Sequence, residues 1–441
     1  MPTCRLMKLT PSSVLNLGPG WANTTVNTVI FRHHGIVTRW PYQFASYFDV
    51  KGGMVVVRRD LRDDSCESHV LPGKYNTRDA HNAISLGIDP EGYLHIAYDH
   101  HGVPLRYRRS TTALAIDVWT EPLRMTGQFE NRVTYPYFIM APRNSEDAEY
   151  AGDLYFMYRH GSSGKGDICL KAYDHTTQTW SDRALCFVKG TEQSPWTSNA
   201  YWNHPSFDSK GRMHLSWVWR VNRGGPPGGL INNINMGYAC TPDMGRTWLT
   251  SRGLPIPLPL TQVNSEVIWP IPPGSNLINQ CSSAMDSNDR LHIVAYADDP
   301  HGIPQYFHLW FDGRSWRFDF ITNRTEDFAL IGGGSLQIPF SRPEIIVDRQ
   351  DRVYVIYRGD LTENRLIAQR LDPPDYSPPG EAIALWDQDL GHAEPVIDRV
   401  RWKRDGVLSM LVQKNYQPDH DAPTDVPAEP VYIVDWRIPA E

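Results

Sequence analysis

A hairpin-like pattern recurs along this chain, and such a repeat constrains the fold more than any other feature of the sequence. In SLGIDPEGYLHIAY, which begins at Ser85, an apolar run meets a turn of Asp, Pro, Glu and Gly, and alternating residues follow. This pattern predicts two antiparallel strands joined by a tight turn. Similar stretches begin at Pro205, Ser283, Pro343 and Pro395, a sixth copy starting at Tyr135 is interrupted by an insertion, and the most diverged copy begins at Thr28.

Each hairpin is followed by two more strand-like segments, such as DICLKAY from Asp167 and TWSDRAL from Thr179. Four antiparallel strands per unit, repeated seven times, predict an all-β fold, a seven-bladed β-propeller of four-stranded antiparallel blades, with residues 1–441 in a single domain. TPDMGRTW (Thr241–Trp248) supports this prediction, because it is similar to the Asp-box, the turn between the third and fourth strands of a sialidase-type blade. A two-domain β-sandwich arrangement is the alternative.

The composition agrees with β structure and excludes several classes of function. The 35 prolines are spread along the chain, so no long helix is predicted. Lys and Arg number 43 against 50 Asp and Glu, a net charge of −7, so we expect no nucleic-acid or membrane partner. The six cysteines form no CxxC pair, and most are predicted to be buried thiols. No apolar segment has the length of a signal peptide or a membrane span, so a soluble protein is expected, in a compartment that the sequence leaves open.

The topology of a propeller blade predicts which loops share a face. The loop entering the first strand and the loop between the second and third strands lie on one face, whereas the hairpin turns, with their aspartates, lie on the other. The acid–base and anion-binding residues predicted on the first face are His81, Asn82, His100, His101, Tyr135, Arg159, His160, Tyr201, Asn203, His204, Arg220, Asn279, Gln280, Arg342, Arg358, His392 and Glu394. We therefore expect a ligand site at the mouth of the closed β structure on this face.

A comparison between blades separates histidines of the site from histidines of the scaffold. Aligning the hairpins places Ile278 opposite His81, so the fold does not require a histidine there, and we assign His81 to the site. His101 has a counterpart in His301, so the loop accounts for part of its presence and the site for the rest. Three histidines that occupy the same position of three hairpins are predicted to be structural: His95, His214 and His292.

Several arginines are predicted near the same mouth. Arg159, Arg220 and Arg358 each follow directly on a second strand, and Arg342 precedes a first strand. Guanidinium groups directed at one opening repel each other unless an anion lies between them, and Arg binds a planar carboxylate with two hydrogen bonds. This pattern favours an anionic ligand.

The sequence contains no HExxH motif or comparable set of metal ligands. The HisHis pairs at His33 and His100 are weak metal signals, so no metal site and no required cofactor are predicted. A structural calcium ion held by loop carbonyls would leave no sequence pattern.

With DAHN, then GYLHIAYDHHGVPLRY about twenty residues later, and an Asp-box, the chain resembles the BNR-repeat propeller enzymes of polysaccharide breakdown. This group includes L-rhamnose-α-1,4-D-glucuronate lyases and ulvan lyases, with a related α-L-rhamnosidase family. The resemblance implies that His81 is the catalytic acid/base and that His101 acts beside it. It also implies substrate-binding roles for Arg159, Arg220, Arg342, Tyr201, His100, Asn82 and Gln280.

The expected activity is β-elimination at a glucuronic acid that is substituted at C4. The expected product is terminal L-rhamnose released from rhamnosyl-α-1,4-glucuronate side chains of gum arabic or arabinogalactan, which leaves a 4,5-unsaturated uronate. An ulvan lyase, an α-L-rhamnosidase or sialidase-like hydrolase and a non-catalytic propeller that binds acidic glycans are the alternatives. We expect a monomer whose partner is an acidic polysaccharide, and this substrate class favours action outside the cell. In an exo-acting enzyme, the loop of residues 221–230 is a candidate for closing one end of the groove.

Overall fold

The repeated hairpins form antiparallel strand pairs in the computed structural model of this chain, which describes residues 7–142, 152–192, 196–222, 229–377, 381–422 and 424–439. The first sixteen strands are β1 (Met7–Lys8), β2 (Ser13–Gly20), β3 (Ile36–Arg39), β4 (Tyr42–Phe48), β5 (Met54–Asp60), β6 (Cys66–Leu71), β7 (Ser85–Ile88), β8 (Leu94–Ala97), β9 (His101–Val103), β10 (Tyr107–Arg109), β11 (Val133–Ala141), β12 (Asp153–Ser162), β13 (Lys165–Asp174), β14 (Thr179–Val188), β15 (Thr197–Trp202) and β16 (Ser206–Phe207). The remaining strands are β17 (Met213–Asn222), β18 (Asn233–Thr241), β19 (Trp248–Leu249), β20 (Pro255–Ile256), β21 (Glu266–Trp269), β22 (Ser282–Met285), β23 (Leu291–Asp298), β24 (Pro304–Phe311), β25 (Trp316–Phe320), β26 (Glu344–Val347), β27 (Val353–Arg358), β28 (Leu366–Leu371), β29 (Ala382–Trp386), β30 (Val396–Ile397), β31 (Leu408–Val412) and β32 (Glu429–Trp436).

These strands form hydrogen-bonded sheets that follow one another along the chain. Four consecutive antiparallel strands form the sheets β3 to β6, β22 to β25 and β26 to β29, the last of which is extended by β1. β9 adds to β11 to β14, β15 to β21 form the largest sheet, β2 adds to β30 to β32, and β7, β8 and β10 form the smallest sheet. The chain is therefore an all-β propeller with four-stranded antiparallel blades.

The N-terminal strands complete the C-terminal sheets. β2 pairs antiparallel with β32, with Val14 opposite Val434, and β1 runs parallel to β29, with Met7 opposite Ile383. Closure of this kind pairs strand edges that would otherwise be free to add strands from another chain.

The predicted number of complete blades is wrong. Among the described residues six sheets contain four or more strands, whereas the sheet of β7, β8 and β10 contains three. The segment after β10 follows the edge of that strand irregularly, with an isolated bridge between Ser110 and Trp119 and single backbone hydrogen bonds from Thr120 to Arg109 and from Leu123 to Tyr107. Pro122 in this segment has no N–H with which to extend the ladder. The fold thus has six four-stranded blades instead of seven.

The hairpin turns repeat one arrangement of side chains. Asp208 accepts hydrogen bonds from the backbone of Lys210 and Arg212 and lies 3.3 Å from Nε2 of His214, which belongs to the returning strand. Equivalent Asp–His contacts of 3.3 and 3.4 Å join Asp89 to His95 and Asp286 to His292. The prediction that these three histidines are structural is confirmed.

One predicted turn is a short helix. In the copy that begins at Pro395, α1 (Arg399–Asp405) lies between β30 and β31. Asp398 caps its N-terminus by accepting a hydrogen bond from the backbone of Arg401, and Gly406 ends it at φ 63°. Four further helical segments within the described ranges are single 3-10 turns: Thr25–Asn27, Ala80–Asn82, Asp360–Thr362 and Asp419–Asp421. None of the described helices is long and apolar enough to cross a lipid bilayer.

Two further sequence features have clear places in the sheets. The Asp-box joins β18 to β19, where Asp243 accepts hydrogen bonds from the backbone of Arg246 and Thr247 while Trp248 is buried. This location confirms the predicted turn.

Cys169 and Cys186 form a disulfide between β13 and β14, so these two are not the free thiols that the sequence predicted.

Candidate active site

Most of the predicted site residues line one small cavity, with a volume of about 140 Å³. Its walls come from segments that are far apart in the sequence, because each blade contributes the loops at one end of its strands. The residues with a predicted catalytic or substrate-binding role that line it are His81, His101, Arg159, Tyr201, Arg220 and Arg342. The fold therefore brings both candidate catalytic histidines and three arginines to the same opening.

His81 is positioned by the 3-10 turn Ala80–Asn82. The side chain of Asp79, directly before the turn, accepts hydrogen bonds at Oδ1 from the His81 backbone over 2.9 Å and from Nδ1 of its ring over 2.6 Å. Phe31 stacks on the other side of the imidazole, with ring centroids 5.4 Å apart. The side chain is only 9% exposed, so its orientation is fixed before any ligand arrives.

His101 lies directly beside His81. The two rings are stacked with centroids 3.9 Å apart and planes 13° apart, and Nδ1 of His101 lies 2.5 Å from Oδ2 of Asp79. The His101 side chain is 37% exposed. Burial lowers the pKa of His81, an effect that Asp79 partly offsets and His101 reinforces. Two positive charges about 4 Å apart repel each other by about 4 kcal/mol at an effective dielectric constant of about 20, so the pair resists a second proton.

Arg159 and Arg220 lie on either side of Tyr201. Arg159 donates from Nη1 to the Tyr201 hydroxyl over 3.3 Å, and the Arg220 guanidinium lies 5.2 Å from the centre of the Tyr201 ring. Arg220 is held by a 2.6 Å hydrogen bond from Nε to Asn233. Burial raises the pKa of Tyr201, but Arg220 and Arg159 outweigh burial and lower this pKa to about 8. The two guanidinium groups thus make this wall of the cavity electropositive.

Arg342 also lines the cavity and is paired with a counter-ion. Its Nη1 lies 3.0 Å from Oε1 of Glu394, and its Nε donates to the carbonyl oxygen of Asn279 over 2.8 Å. Oε2 of Glu394 accepts a hydrogen bond from the backbone of Ile30. Burial lowers the pKa of Arg342, but Glu394 outweighs burial, and the net effect is a raised pKa. Arg342 is therefore charged, and part of its charge is balanced within the protein.

The structure does not bring three predicted residues to this cavity. His100 is fully buried, where burial lowers its pKa to about 3 and its Nε2 accepts from the backbone of Arg106. Asn82 donates to the carbonyl oxygen of Asn76, and its side chain lines a neighbouring groove instead. Gln280 is fully buried. Arg358 also points elsewhere, because its guanidinium donates to the carbonyl oxygens of residues 338, 339 and 393.

Asp79, Tyr135 and Glu394 are the site residues that sequence reasoning did not assign. The sequence around Asp79 indicates only a cap for a short turn, because the second partner of its side chain, His101, is twenty-two residues away. Tyr135 and Glu394 were placed on the correct face without a role. Tyr135 lies between His81 and Tyr201, with ring centroids at 5.6 and 5.8 Å, and burial raises its pKa.

The trio of Asp79, His81 and His101 also has the spacing of a metal site, with one potential ligand atom from each side chain within 4.8 Å of the others. Each Nδ1 is paired with a different oxygen of one carboxylate. We therefore interpret the trio as a hydrogen-bonded acid–base group.

One end of the cavity is bordered by a glycine-rich segment, residues 332–335. This segment is tied to the turn Asp419–Asp421, because His420 donates from its backbone to the Ser335 carbonyl over 2.9 Å and Asp421 accepts from the Ser335 backbone over 2.9 Å. Residues 223–228 of the loop that was expected to close the groove lie outside the described residues.

A larger cavity, of about 640 Å³, opens at the hairpin-turn face. His204, predicted on the first face, lines this cavity instead, so that placement is wrong. The aspartates at its rim are paired within their own turns, Asp208 with Arg212 and Asp286 with Arg290, each over 2.5 Å. We place the candidate site at the smaller cavity, because its arginines and histidines converge on shared space.

Comparisons with known proteins agree with this architecture. A family profile described as "BNR repeat-containing family member" matches residues 42–324. The long isoform of ulvan lyase from Pseudoalteromonas sp. (strain PLSV) is 23% identical over 235 residues, which are 44% of this chain and 22% of that protein. The chain thus spans about a fifth of the length of this relative.

Two solved structures share the fold. The polysaccharide lyase Uly1 superimposes with a TM-score of 0.68 at 15% identity, covering 98% of this chain and 100% of the other. An ulvan lyase bound to GlcA(1-4)Rha3S superimposes with a TM-score of 0.65 at 15% identity, covering 95% of this chain and 96% of the other. At these identities the likeness establishes a common fold over nearly the whole chain.

Proposed function

Since the chain belongs to the BNR repeat-containing family, we propose that it is a polysaccharide lyase that cleaves the bond to C4 of a glucuronic acid by β-elimination. One observation carries this proposal: a buried imidazole, His81, shares a cavity of about 140 Å³ with three arginines. β-Elimination next to a carboxylate needs a base and a group that neutralises negative charge, and this cavity supplies both.

The arginines prepare the substrate for loss of a proton. The C5 hydrogen of a uronate is too weakly acidic while the neighbouring carboxylate carries its full charge. Arg220 and Arg159 meet this carboxylate from the wall around Tyr201, and Arg342 supports it from another part of the lining. Each hydrogen-bond donor placed where negative charge develops contributes about 3 to 4 kcal/mol of transition-state stabilisation.

His81 then acts as the base. Its neutral imidazole takes the C5 proton, the C5–H electron pair forms the C4=C5 double bond, and the C4–O4 bond breaks. The resulting imidazolium returns this proton to the departing O4 when both lie on one side of the sugar. Because burial lowers the pKa of His81, the ring stays neutral and basic in mildly acidic solution.

For the substrate we propose an ulvan-type chain of alternating glucuronate and rhamnose first. The relatives named as ulvan lyases, and the GlcA(1-4)Rha3S fragment bound to one of them, support this choice. Those names belong to proteins with which this chain shares 23% identity or less.

The size of the cavity favours a second candidate, a terminal rhamnose linked to glucuronate as in gum arabic. Pockets that bind drug-sized ligands have volumes of roughly 300 to 1,000 Å³, whereas this cavity measures about 140 Å³ and is bordered at one end by residues 332–335. A cavity of this size suits the end of a glycan chain better than its interior.

A sialidase-like hydrolase fits the arrangement less well. That chemistry needs a tyrosine nucleophile with a glutamate partner. Both oxygens of Glu394 are occupied, one by Arg342 and the other by the backbone of Ile30. The stacked His81 and His101 have no part in that scheme.

Incubation with ulvan and with gum arabic tests the proposal. Elimination produces a conjugated unsaturated uronate that absorbs ultraviolet light, and hydrolysis does not. We expect absorbance to rise with at least one substrate, and free rhamnose to appear with gum arabic if the enzyme acts on chain ends. Shortening of either glycan without a rise in absorbance would identify a hydrolase, and saturable binding without cleavage would identify a binding protein.

A further inference from the structure

Asp79 contacts both imidazoles of the cavity through the same kind of nitrogen. Its Oδ1 lies 2.6 Å from Nδ1 of His81, and its Oδ2 lies 2.5 Å from Nδ1 of His101. Burial raises the pKa of the Asp79 carboxyl, but the hydrogen bonds from His101 and His81 outweigh burial and hold that pKa well below its ordinary value. The carboxylate is therefore ionised and can only accept hydrogen bonds.

The ionised Asp79 carboxylate has no hydrogen to donate, so it determines which nitrogen of His81 and of His101 carries the hydrogen. Both Nδ1 atoms have to carry hydrogen, which leaves the lone pair of each neutral ring at Nε2. Both rings line the cavity, whereas Asp79 lines the neighbouring groove, on the side of the Nδ1 atoms. The basic Nε2 of His81 is thus the ring nitrogen directed away from Asp79 and towards the cavity.

We propose that Asp79 is a positioning residue for the reaction, holding His81 and His101 in the tautomer with hydrogen on Nδ1 so that Nε2 of His81 faces the substrate as the base. This role rests on the proposed function for its catalytic meaning, but the tautomer itself does not. The free imidazole of histidine favours the opposite tautomer, so a site that needs Nε2 as a base gains directly from this carboxylate.

The pairing also assigns a part to His101. The carboxylate carries one negative charge, and the stacked rings disfavour two protons at once. His101 is the more exposed ring, so desolvation opposes a positive charge on it less than on His81. Burial therefore keeps His81 the neutral ring of the pair.

A structural role for Asp79 has to be separated from this one. Its Oδ1 also accepts from the His81 backbone over 2.9 Å and so caps the turn Ala80–Asn82. Loss of a cap would reduce stability without a defined effect on ring tautomers. The decisive variant is therefore Asp79→Asn, which still caps the turn but offers one acceptor and one donor to the two rings.

Nitrogen-15 spectra of histidine-labelled protein test the tautomers without any substrate. In the wild type we expect hydrogen on Nδ1 of both His81 and His101, with the signals assigned through His101→Gln. In Asp79→Asn the oxygen that caps the turn still accepts from Nδ1 of His81, so the amide donates to His101, and His101 must move its hydrogen to Nε2. Signals from His81 with hydrogen on Nε2 in the wild type would overturn the inference, whether or not the protein is a lyase.

The second measurement is the steady-state kinetics of cleavage, on whichever of the two glycans the enzyme cleaves. We expect Asp79→Asn to lower kcat by about 10-fold or more with little change in KM, because a neutral amide no longer raises the basicity of His81, the ring that takes the proton. Since Asp79 raises the pKa of His81, the acid limb of the pH profile should also move to lower pH. Asp299→Asn, in the loop between the second and third strands of another blade and outside the cavity, is the control and should leave both unchanged.

Asp79→Glu keeps the test decisive if the Asn variant does not fold. It retains a carboxylate, so both rings should keep hydrogen on Nδ1 and part of the activity should return. Equal losses of kcat in the Asn and Glu variants, with the tautomers unchanged, would reduce Asp79 to a cap. Imidazole signals that shift on dialysis against EDTA would show that the trio binds a metal, and would also overturn the inference.

Discussion

Arg159 donates a hydrogen bond from Nη1 to the hydroxyl oxygen of Tyr201 over 3.3 Å. Tyr201 in turn donates to Ser163 over 3.1 Å, and Arg220 also donates to Ser163. A phenol between two guanidinium groups loses its proton more readily than an ordinary tyrosine, and the pKa of Tyr201 is lowered to about 8. The protonation state of Tyr201 therefore determines how much net positive charge Tyr201, Arg159 and Arg220 together present to a substrate carboxylate.

Tyr201→Phe is predicted to remove an alkaline limb from the pH profile. Above a pH of about 8, Tyr201 becomes a phenolate that balances the charge of Arg159 and Arg220, so wild-type KM should rise. Below this pH the neutral phenol leaves the guanidinium charges free to attract the uronate. Phenylalanine cannot ionise, so KM of the variant should stay constant where that of the wild type rises. Measurement of kcat/KM across this range gives the answer, and an identical alkaline limb in both proteins would contradict the assignment.

His81→Ala is predicted to abolish turnover while the propeller remains folded. A positioned base contributes about 10² to 10⁴ in rate, and kcat should fall by at least this factor. Circular dichroism and thermal melting should match the wild type, because the ring contacts Phe31 and Asp79 at the edge of the cavity and not within a sheet. His301→Ala, which changes the exposed counterpart of His101 in another blade, is the control. Residual activity of His81→Ala close to that of the wild type would remove His81 from the mechanism.

Arg220→Lys is predicted to weaken the enzyme in spite of its conserved charge. Lysine lacks the planar fork that binds a carboxylate with two hydrogen bonds, and it cannot keep the 2.6 Å contact of Nε with Asn233. Loss of one hydrogen bond to a charged group costs about 1.5 to 3 kcal/mol, which corresponds to about a 10- to 150-fold fall in kcat/KM. The exposed Arg252→Lys should have no effect, and equal kinetics for both variants would exclude Arg220 from substrate binding.

Blade-to-blade comparison explains how much of the site the sequence predicted. His81 was identified because Ile278 occupies the equivalent position elsewhere in the chain, and the structure places His81 in the cavity. His100 could not be separated from its neighbour His101 in the same way. Successive residues of an extended segment point to opposite sides, so one ring is fully buried and the other is exposed. Whether His100 or His101 faces the cavity depends on the register of this segment, which the sequence does not determine.

The remaining differences arise from contacts between distant residues and from irregular pairing. Asp79 meets His101 only because the strands between them fold back, and no local pattern predicts this contact. The blade count depended on whether residues after β10 form a regular strand, and they follow its edge irregularly, with one bridge between Ser110 and Trp119 and two single backbone hydrogen bonds. The helix α1 was locally readable, because Asp398 and Gly406 bracket it as an N-cap and a C-cap.

Asp398→Ala is predicted to destabilise the fold without a direct effect on the cavity. Asp398 is buried, caps α1 through the backbone of Arg401, and accepts hydrogen bonds from Thr38 over 2.6 Å and from Gln43 over 2.9 Å. Loss of the cap costs about 1 kcal/mol, and each buried donor left without this acceptor costs about 1 to 3 kcal/mol. The free energy of unfolding from urea titration should therefore fall by about 3 kcal/mol or more. Asp398→Asn retains an acceptor and should lose less, whereas the exposed Asp387→Ala should change little. If the Ala and Asn variants were equally stable, the carboxylate would not be the group that joins α1 to the neighbouring sheet.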